Sequence, residues 1–159
     1  MDLRRVAERS RTVWGAFFDC ISTNDQIIFS DRTGVGAIKR GEPNAEWKFN
    51  VGKRNTPQKV VSDSNSVFVA TKGVSEDNCH RRGTVHSLQL SNGRENWTFS
   101  LPTDIKEVAI SEGVIIVGAV GRLCGVDPET GSKIWEKSCL VLPPTKGILR
   151  RSHGDIPPD

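Results

Sequence analysis

An all-β fold of three four-stranded antiparallel units is what this sequence predicts, and three observations lead there. First, the chain aligns with itself. Gly83 to Trp97 and Gly121 to Trp135 share a glycine, an aliphatic residue (Leu88, Val126), a second glycine (Gly93, Gly131) and a tryptophan at the same offsets. A weaker copy runs from Gly34 to Trp47, and Ile38, like Leu88 and Val126, stands nine residues ahead of its tryptophan. Internal repetition of this period marks an array of supersecondary units. Second, each copy follows a β-rich apolar run: Ile27–Ser30, Val67–Ala70 and Val114–Gly118. Third, these runs are apolar on both faces, as Val114-Ile-Ile-Val117 shows. That pattern suits a sheet covered on each side and not one with a wet face. Four-stranded antiparallel sheets covered by their neighbours are blades, so the expectation is a partial β-propeller of three. An ordinary β-sandwich leaves the fourteen-residue glycine-to-tryptophan interval, found twice, unexplained.

The elements follow in order. Residues 1–16 form an N-terminal arm, and the repeats are assigned to 17–51, 58–100 and 106–137. Each repeat opens with a short strand (Phe17–Ser22, Gln58–Ser62, Lys106–Ile110). A polar turn (Thr23–Asp25, Asp63–Asn65, Ser111–Gly113) then leads into the apolar run. A glycine turn, a third strand, another turn and a strand holding the tryptophan complete the unit. Ser91-Asn92-Gly93 supplies the Asn-Gly pair that accepts positive φ in a tight hairpin. Asp127-Pro-Glu-Thr-Gly131 places proline where φ near −65° starts a turn and glycine where the chain turns left-handed. Asp127 is read there as an acceptor for backbone N–H groups, a structural task. Residues 138–159 read as the start of a truncated blade, Leu140-Val-Leu142, halted by Pro143-Pro144, and then a disordered tail.

These residues carry a resemblance. Gly125-Val-Asp127-Pro-Glu-Thr130-Gly131-Ser-Lys-Ile-Trp135 is similar to the tryptophan-docking motif Ala-x-Asp-x-x-Thr-Gly-x-x-x-Trp, with glycine in place of alanine. The motif belongs to the pyrroloquinoline-quinone-like propeller repeats, found in quinoprotein dehydrogenases and in the outer-membrane assembly lipoprotein. The second copy has Ser87 for alanine, Gln89 for aspartate and Asn92 for threonine, and it keeps Gly93 and Trp97. The first keeps only Ala37 and Trp47, with Lys39 and Pro43 at the aspartate and glycine positions. In that family the tryptophan lies between adjacent blades. The resemblance therefore implies a structural docking set of Trp47, Trp97 and Trp135 with Gly83, Gly93, Gly121, Asp127 and Gly131. Trp14 falls outside the spacing.

The resemblance brings the dehydrogenases with it, and their chemistry fails on these residues. Such enzymes hold the quinone beneath a disulfide of adjacent cysteines, with calcium to polarise it and an aspartate as base. Cys20, Cys79, Cys124 and Cys139 are nowhere adjacent, and no acidic residue falls in a motif that transfers as base or calcium ligand. Cys79, His80 and His86 offer three soft ligands within eight residues, in or just after an insertion (Gly73 to Arg82) unique to the second repeat. A fourth zinc ligand is missing, so a flexible loop and a packed strand histidine are the preferred account. No Cys-x-x-Cys pair and no nucleophile motif is present. Asn96-Trp97-Thr98 fits the glycosylation pattern but overlaps the tryptophan and is read as fortuitous.

Charge and composition exclude further classes. Twenty-two basic and 19 acidic residues leave a net charge of +3. The basic residues are scattered, and tyrosine is absent. A nucleic-acid interface calls for a dense basic stripe with interleaved aromatics. No run is long enough for a membrane span, and the charged segment Met1–Arg9 does not suit a signal peptide, so a reduced cytoplasmic setting is expected. The reading is a non-catalytic scaffold or binding surface without cofactor, metal or catalytic residue. A fragment of a quinone-dependent dehydrogenase is the alternative. Three blades leave the outer faces of the first and third uncovered, so a protein partner or self-association is expected, either within a larger polypeptide or in an oligomer that closes a ring.

Overall fold

A computed structural model describes residues 18–74 and 80–139, apart from the side chain of Val74. Twelve strands make three antiparallel sheets, each following chain order. The first holds β1 (Asp19–Ser22), β2 (Gln26–Ser30), β3 (Gly34–Lys39) and β4 (Ala45–Asn50). The second holds β5 (Asn55–Ser62), β6 (Ser66–Val74), β7 (Arg81–Gln89) and β8 (Glu95–Leu101). The third holds β9 (Ile105–Ser111), β10 (Val114–Ala119), β11 (Arg122–Val126) and β12 (Lys133–Ser138). The fold is the all-β partial propeller read from the sequence.

Two details differ from that reading. The second repeat starts at Asn55, three residues early, and Pro57 sits inside β5. Proline cannot donate to a ladder, and β5 is irregular between Pro57 and Lys59 for that reason. The insertion read as a flexible loop is in part a lengthened hairpin, with Gly73 paired to Arg82 and Val74 to Arg81. The rest of it, with Cys79, lies outside the described residues, as do Trp14, the N-terminal arm and Leu140 onward.

Register explains how the sheets stack. A row across the first sheet, Ile21–Ile28–Ala37–Trp47, ends on its tryptophan. It packs in one core with Val60, Val67, Val69 and Leu88 of the second sheet. The matching row of the second sheet, Val61–Phe68–Ser87–Trp97, packs with Ile105, Val108, Ile115, Val117, Cys124 and Val126 of the third. Fully burying a side chain of this size stabilises the fold by about 1.5–3 kcal/mol, so these two cores dominate the energetics. Each sheet slips register one step beyond its tryptophan pair, at Ala37/Ile38, Ser87/Leu88 and Gly125/Val126.

The first strands of the three sheets lie side by side, β5 touching both β1 and β9. Asp19 ties the first two sheets: its carboxylate accepts the Val60 N–H at 2.9 Å and stands 3.9 Å from the Lys59 ammonium.

Exposure of the end faces is uneven. Ile27, Phe29 and Ile38 of the first sheet are buried, contrary to the expectation of an uncovered first face. In the third sheet the row Ala109–Ile116–Gly125–Trp135 joins neither core, while Ile110, on the opposite face beside the core residue Ile115, is exposed.

Candidate functional site

The hairpin turns between the third and fourth strands place the tryptophans and their glycines. In the second sheet, Gly93 has φ +70° and donates its N–H to the Gln89 carbonyl at 2.8 Å. In the third, Gly131 has φ +72° and bonds the Asp127 carbonyl at 2.9 Å. The Asp127 carboxylate accepts the N–H groups of Glu129 at 2.8 Å and Thr130 at 3.0 Å. Those two bonds hold its pKa below the usual aspartate value, the Thr130 bond most of all.

Trp47 reaches out of its own sheet and lies on the turn of the next. Its Nε1–H donates to the Leu90 carbonyl at 3.0 Å. A Cβ on Gly93 would stand 2.6 Å from Trp47 Cδ2. Trp97 repeats the arrangement on the third sheet: Nε1–H donates to the Pro128 carbonyl at 2.9 Å, and a Cβ on Gly131 would stand 2.6 Å from Trp97 Cδ2. Trp135 differs. Its pyrrole ring lies over Gly125 of its own sheet, where a Cβ would come 2.9 Å from Cδ1 and closer still to Nε1. Gly83 and Gly121, equivalent in sequence, do different things. Gly83 runs under the connection to β9, a Cβ there meeting the Thr103 carbonyl at 2.6 Å, whereas Gly121 makes the β10–β11 turn at φ +71°.

At the same end of the sheets, the turns of the first two enclose an open groove of about 860 Å³. Its lining carries hydroxyls, amides and carboxylates, with Thr23, Asn24, Asp25 and Asp63 among them, together with Lys39 and the apolar Leu90, and neither His80 nor His86 takes part. Asp63 is engaged in its own turn, accepting the N–H groups of Asn65 and Ser66. The groove thus offers hydrogen-bond donors and acceptors of both charges.

Other polar side chains are committed to structure. Asp31, 2% exposed, accepts the Thr33 and Gly34 N–H groups at 2.7 and 3.0 Å. Asp104 is buried between Arg81 and Lys106, with Arg81 at 2.6 Å. Burial alone raises its pKa, but the Arg81 hydrogen bond and the two cations outweigh that and leave it lowered. His86 is a packed strand histidine: its Nδ1 is 2.8 Å from Glu95, and its ring lies 5.4 Å from that of Phe49. Among the described residues no three His, Cys, Asp or Glu side chains converge as metal ligands.

Reasoning from sequence missed Asp19, Asp31 and the two acceptor carbonyls. Asp31 had a signal, since Asp31-x-Thr-Gly34 has the spacing of Asp63-x-Asn-Ser66 and both are Asx turns. Asp19 had none, because its partner is a backbone group 41 residues away.

Comparison with known proteins adds three findings. The family model described as outer membrane protein assembly factor BamB matches residues 22–153. A 1-butanol dehydrogenase (cytochrome c) from Thauera butanivorans is 31% identical over 70 residues, covering 36% of this chain and 10% of that enzyme. The chain therefore spans about a tenth of that relative's length. Among solved structures, the Pan2 WD40 domain of Neurospora crassa aligns with a TM-score of 0.36 at 8% identity, over 78% of this chain and 50% of that one.

Proposed function

Because this chain belongs to the β-propeller repeat family described by the outer membrane protein assembly factor BamB, we propose that it works without catalysis, as a scaffold that offers a binding surface to a protein partner. The observation that carries this reading is the commitment of its ordered polar groups. Asp31, Asp63 and Asp127 close turns, Asp19 joins sheets and Asp104 is held by two cations. The polar groove between the first two sheets and the lengthened β6–β7 hairpin are the surfaces such a partner would meet.

A second reading, a piece of a quinone-dependent dehydrogenase, is favoured by the likeness to the butanol dehydrogenase. One experiment separates the two. The chain is titrated with pyrroloquinoline quinone and calcium while tryptophan emission is followed, and dye-linked alcohol and sugar oxidation is then assayed. Scaffolding predicts no saturable quenching and no turnover. Oxidation that requires both additives overturns it.

A further inference from the structure

Basic residues that are scattered along the sequence are gathered by the fold. Every sheet has two ends. The groove lies at one. At the other lie the β2–β3, β6–β7 and β10–β11 turns and the connections from each sheet to the next. Because β5 touches both β1 and β9, these second ends stand side by side, and Arg81 of the long hairpin reaches across to Asp104 at the start of the third sheet.

The second end is basic. Arg32 stands in the β2–β3 turn, Lys53 and Arg54 in the connection to β5, and Lys72 and Arg82 on the long hairpin, all of them exposed. Arg81 and Lys106 share the single carboxylate of Asp104, at 2.6 and 3.6 Å, which leaves one positive charge over. Other carboxylates at this end are turned inward. Asp19 accepts the Val60 N–H, and Asp31, beside Lys48, closes its own turn. Glu107 is exposed there, and Glu76 and Asp77 lie outside the described residues. The groove end has the opposite bias: Asp25, Glu46, Asp63, Glu112, Asp127 and Glu129 stand there against Lys39, Arg40, Arg94 and Lys133.

Apolar side chains share the basic end. Phe18, whose N–H bonds the Ser30 carbonyl, is 47% exposed, and Val120, bonded to the Asp104 carbonyl, is 58% exposed. Sheets pack about 10 Å apart, so cations on three successive sheets spread over about 20 Å. One small anion cannot meet them all, but an array of phosphates can. Nucleic acid would call for aromatic platforms between the cations. A single phenylalanine and a valine, on different sheets, suit the acyl boundary of a lipid surface instead.

We propose that the end of the sheets carrying Arg32, Lys53, Lys72 and Arg82 is a docking surface for an anionic lipid bilayer. The cations meet headgroup phosphates, and Phe18 and Val120 enter the interface. The protein lies on such a surface without spanning it, and the groove at the other end faces away into water. The inference rests on where the fold places charge and is independent of whether the chain is a scaffold.

The test sediments the full chain with vesicles of phosphatidylcholine alone, or of equal parts phosphatidylcholine and phosphatidylglycerol. Binding should appear on the anionic vesicles only and weaken steeply with added salt, because the attraction reaches no further than the Debye length. A cation close to an anionic bilayer contributes about fivefold to binding, so Arg32→Gln, Lys53→Gln, Lys72→Gln and Arg82→Gln should each weaken it by about that factor. Lys39→Gln and Arg94→Gln remove the same charge at the groove end and should change binding by less than about twofold. Phe18→Ser and Val120→Ser should lower affinity for the anionic vesicles without altering its salt dependence. Urea midpoints establish that each variant is folded. Duplex DNA, added as competitor at the same salt, should not displace the chain. No binding to anionic vesicles, equal losses from variants at the two ends, or displacement by duplex DNA would each overturn the proposal.

Discussion

Gly131 offers a perturbation whose cost separates into two parts. At φ +72° any L-residue occupies a region that costs roughly 1–2 kcal/mol. A Cβ there also stands 2.6 Å from Trp97 Cδ2, with Cε3 and Cγ within 2.9 Å. Relieving such overlap in packed surroundings typically costs a further ~1–3 kcal/mol. Gly131→Ala should therefore cost about 2–5 kcal/mol, a large share of the ~5–15 kcal/mol that stabilises a typical domain. Gly113 is the internal control. It has φ +75° and nothing within 4 Å of a built Cβ, so Gly113→Ala should cost the conformational part alone. Urea denaturation followed by far-ultraviolet circular dichroism measures both. A double-mutant cycle completes the argument: once Trp97→Ala has removed the ring, adding Gly131→Ala should cost no more than Gly113→Ala. Equal costs for the two glycine variants, or a Gly131→Ala cost unchanged when the ring is gone, would refute the claim that the indole makes Gly131 obligatory.

Further outcomes follow from other positions. Ser87 Oγ is fully buried without a partner, and the equivalent residue of the first sheet is Ala37. Ser87→Ala should raise stability by about 1 kcal/mol, seen as a higher urea midpoint. Trp97→Phe keeps a ring but loses the bond to Pro128, which should cost about 1 kcal/mol or more, whereas Trp135→Phe should cost close to nothing. Asp104 has a depressed pKa, so its stabilisation is complete above the unfolded aspartate value near 3.9 and is lost as pH falls through the lower folded value. Asp104→Asn should be destabilising at neutral pH and should flatten the acid limb of the urea midpoint against pH. An unaltered acid limb would show that Arg81 and Lys106 do not hold the charge.

The repeat was legible because its markers are local. Glycine-to-tryptophan spacing, Asn92-Gly93 and Asp127-Pro128 each depend on a few consecutive residues, and they placed the three sheets to within a few residues. The expected start of the second repeat at Gln58 fell three residues late, because β5 runs on through Pro57 with an irregular ladder there. What the sequence could not carry was direction. Spacing marked all three tryptophans alike, yet Trp47 and Trp97 reach a neighbouring turn and Trp135 lies back on its own sheet. That difference is decided by what stands beside each sheet in space. The partners of Asp19 and His86 were hidden for the same reason, one being a backbone N–H on the next sheet and the other a ring set against Phe49.

The seat beneath each indole has a consequence for how such arrays change over generations. It consists of a main-chain oxygen and a missing side chain, so it records almost nothing of the sequence around it. At the indole itself, a hairpin whose left-handed glycine stands where Gly93 and Gly131 do can follow any unit that ends in tryptophan. Copying or exchanging a unit leaves that contact intact, and the matching changes fall on the side chains of the shared cores. Order along the array must then be written elsewhere, in contacts that name a particular side chain. Asp19 is one, its carboxylate bridging Val60 N–H and the Lys59 ammonium on the adjoining sheet.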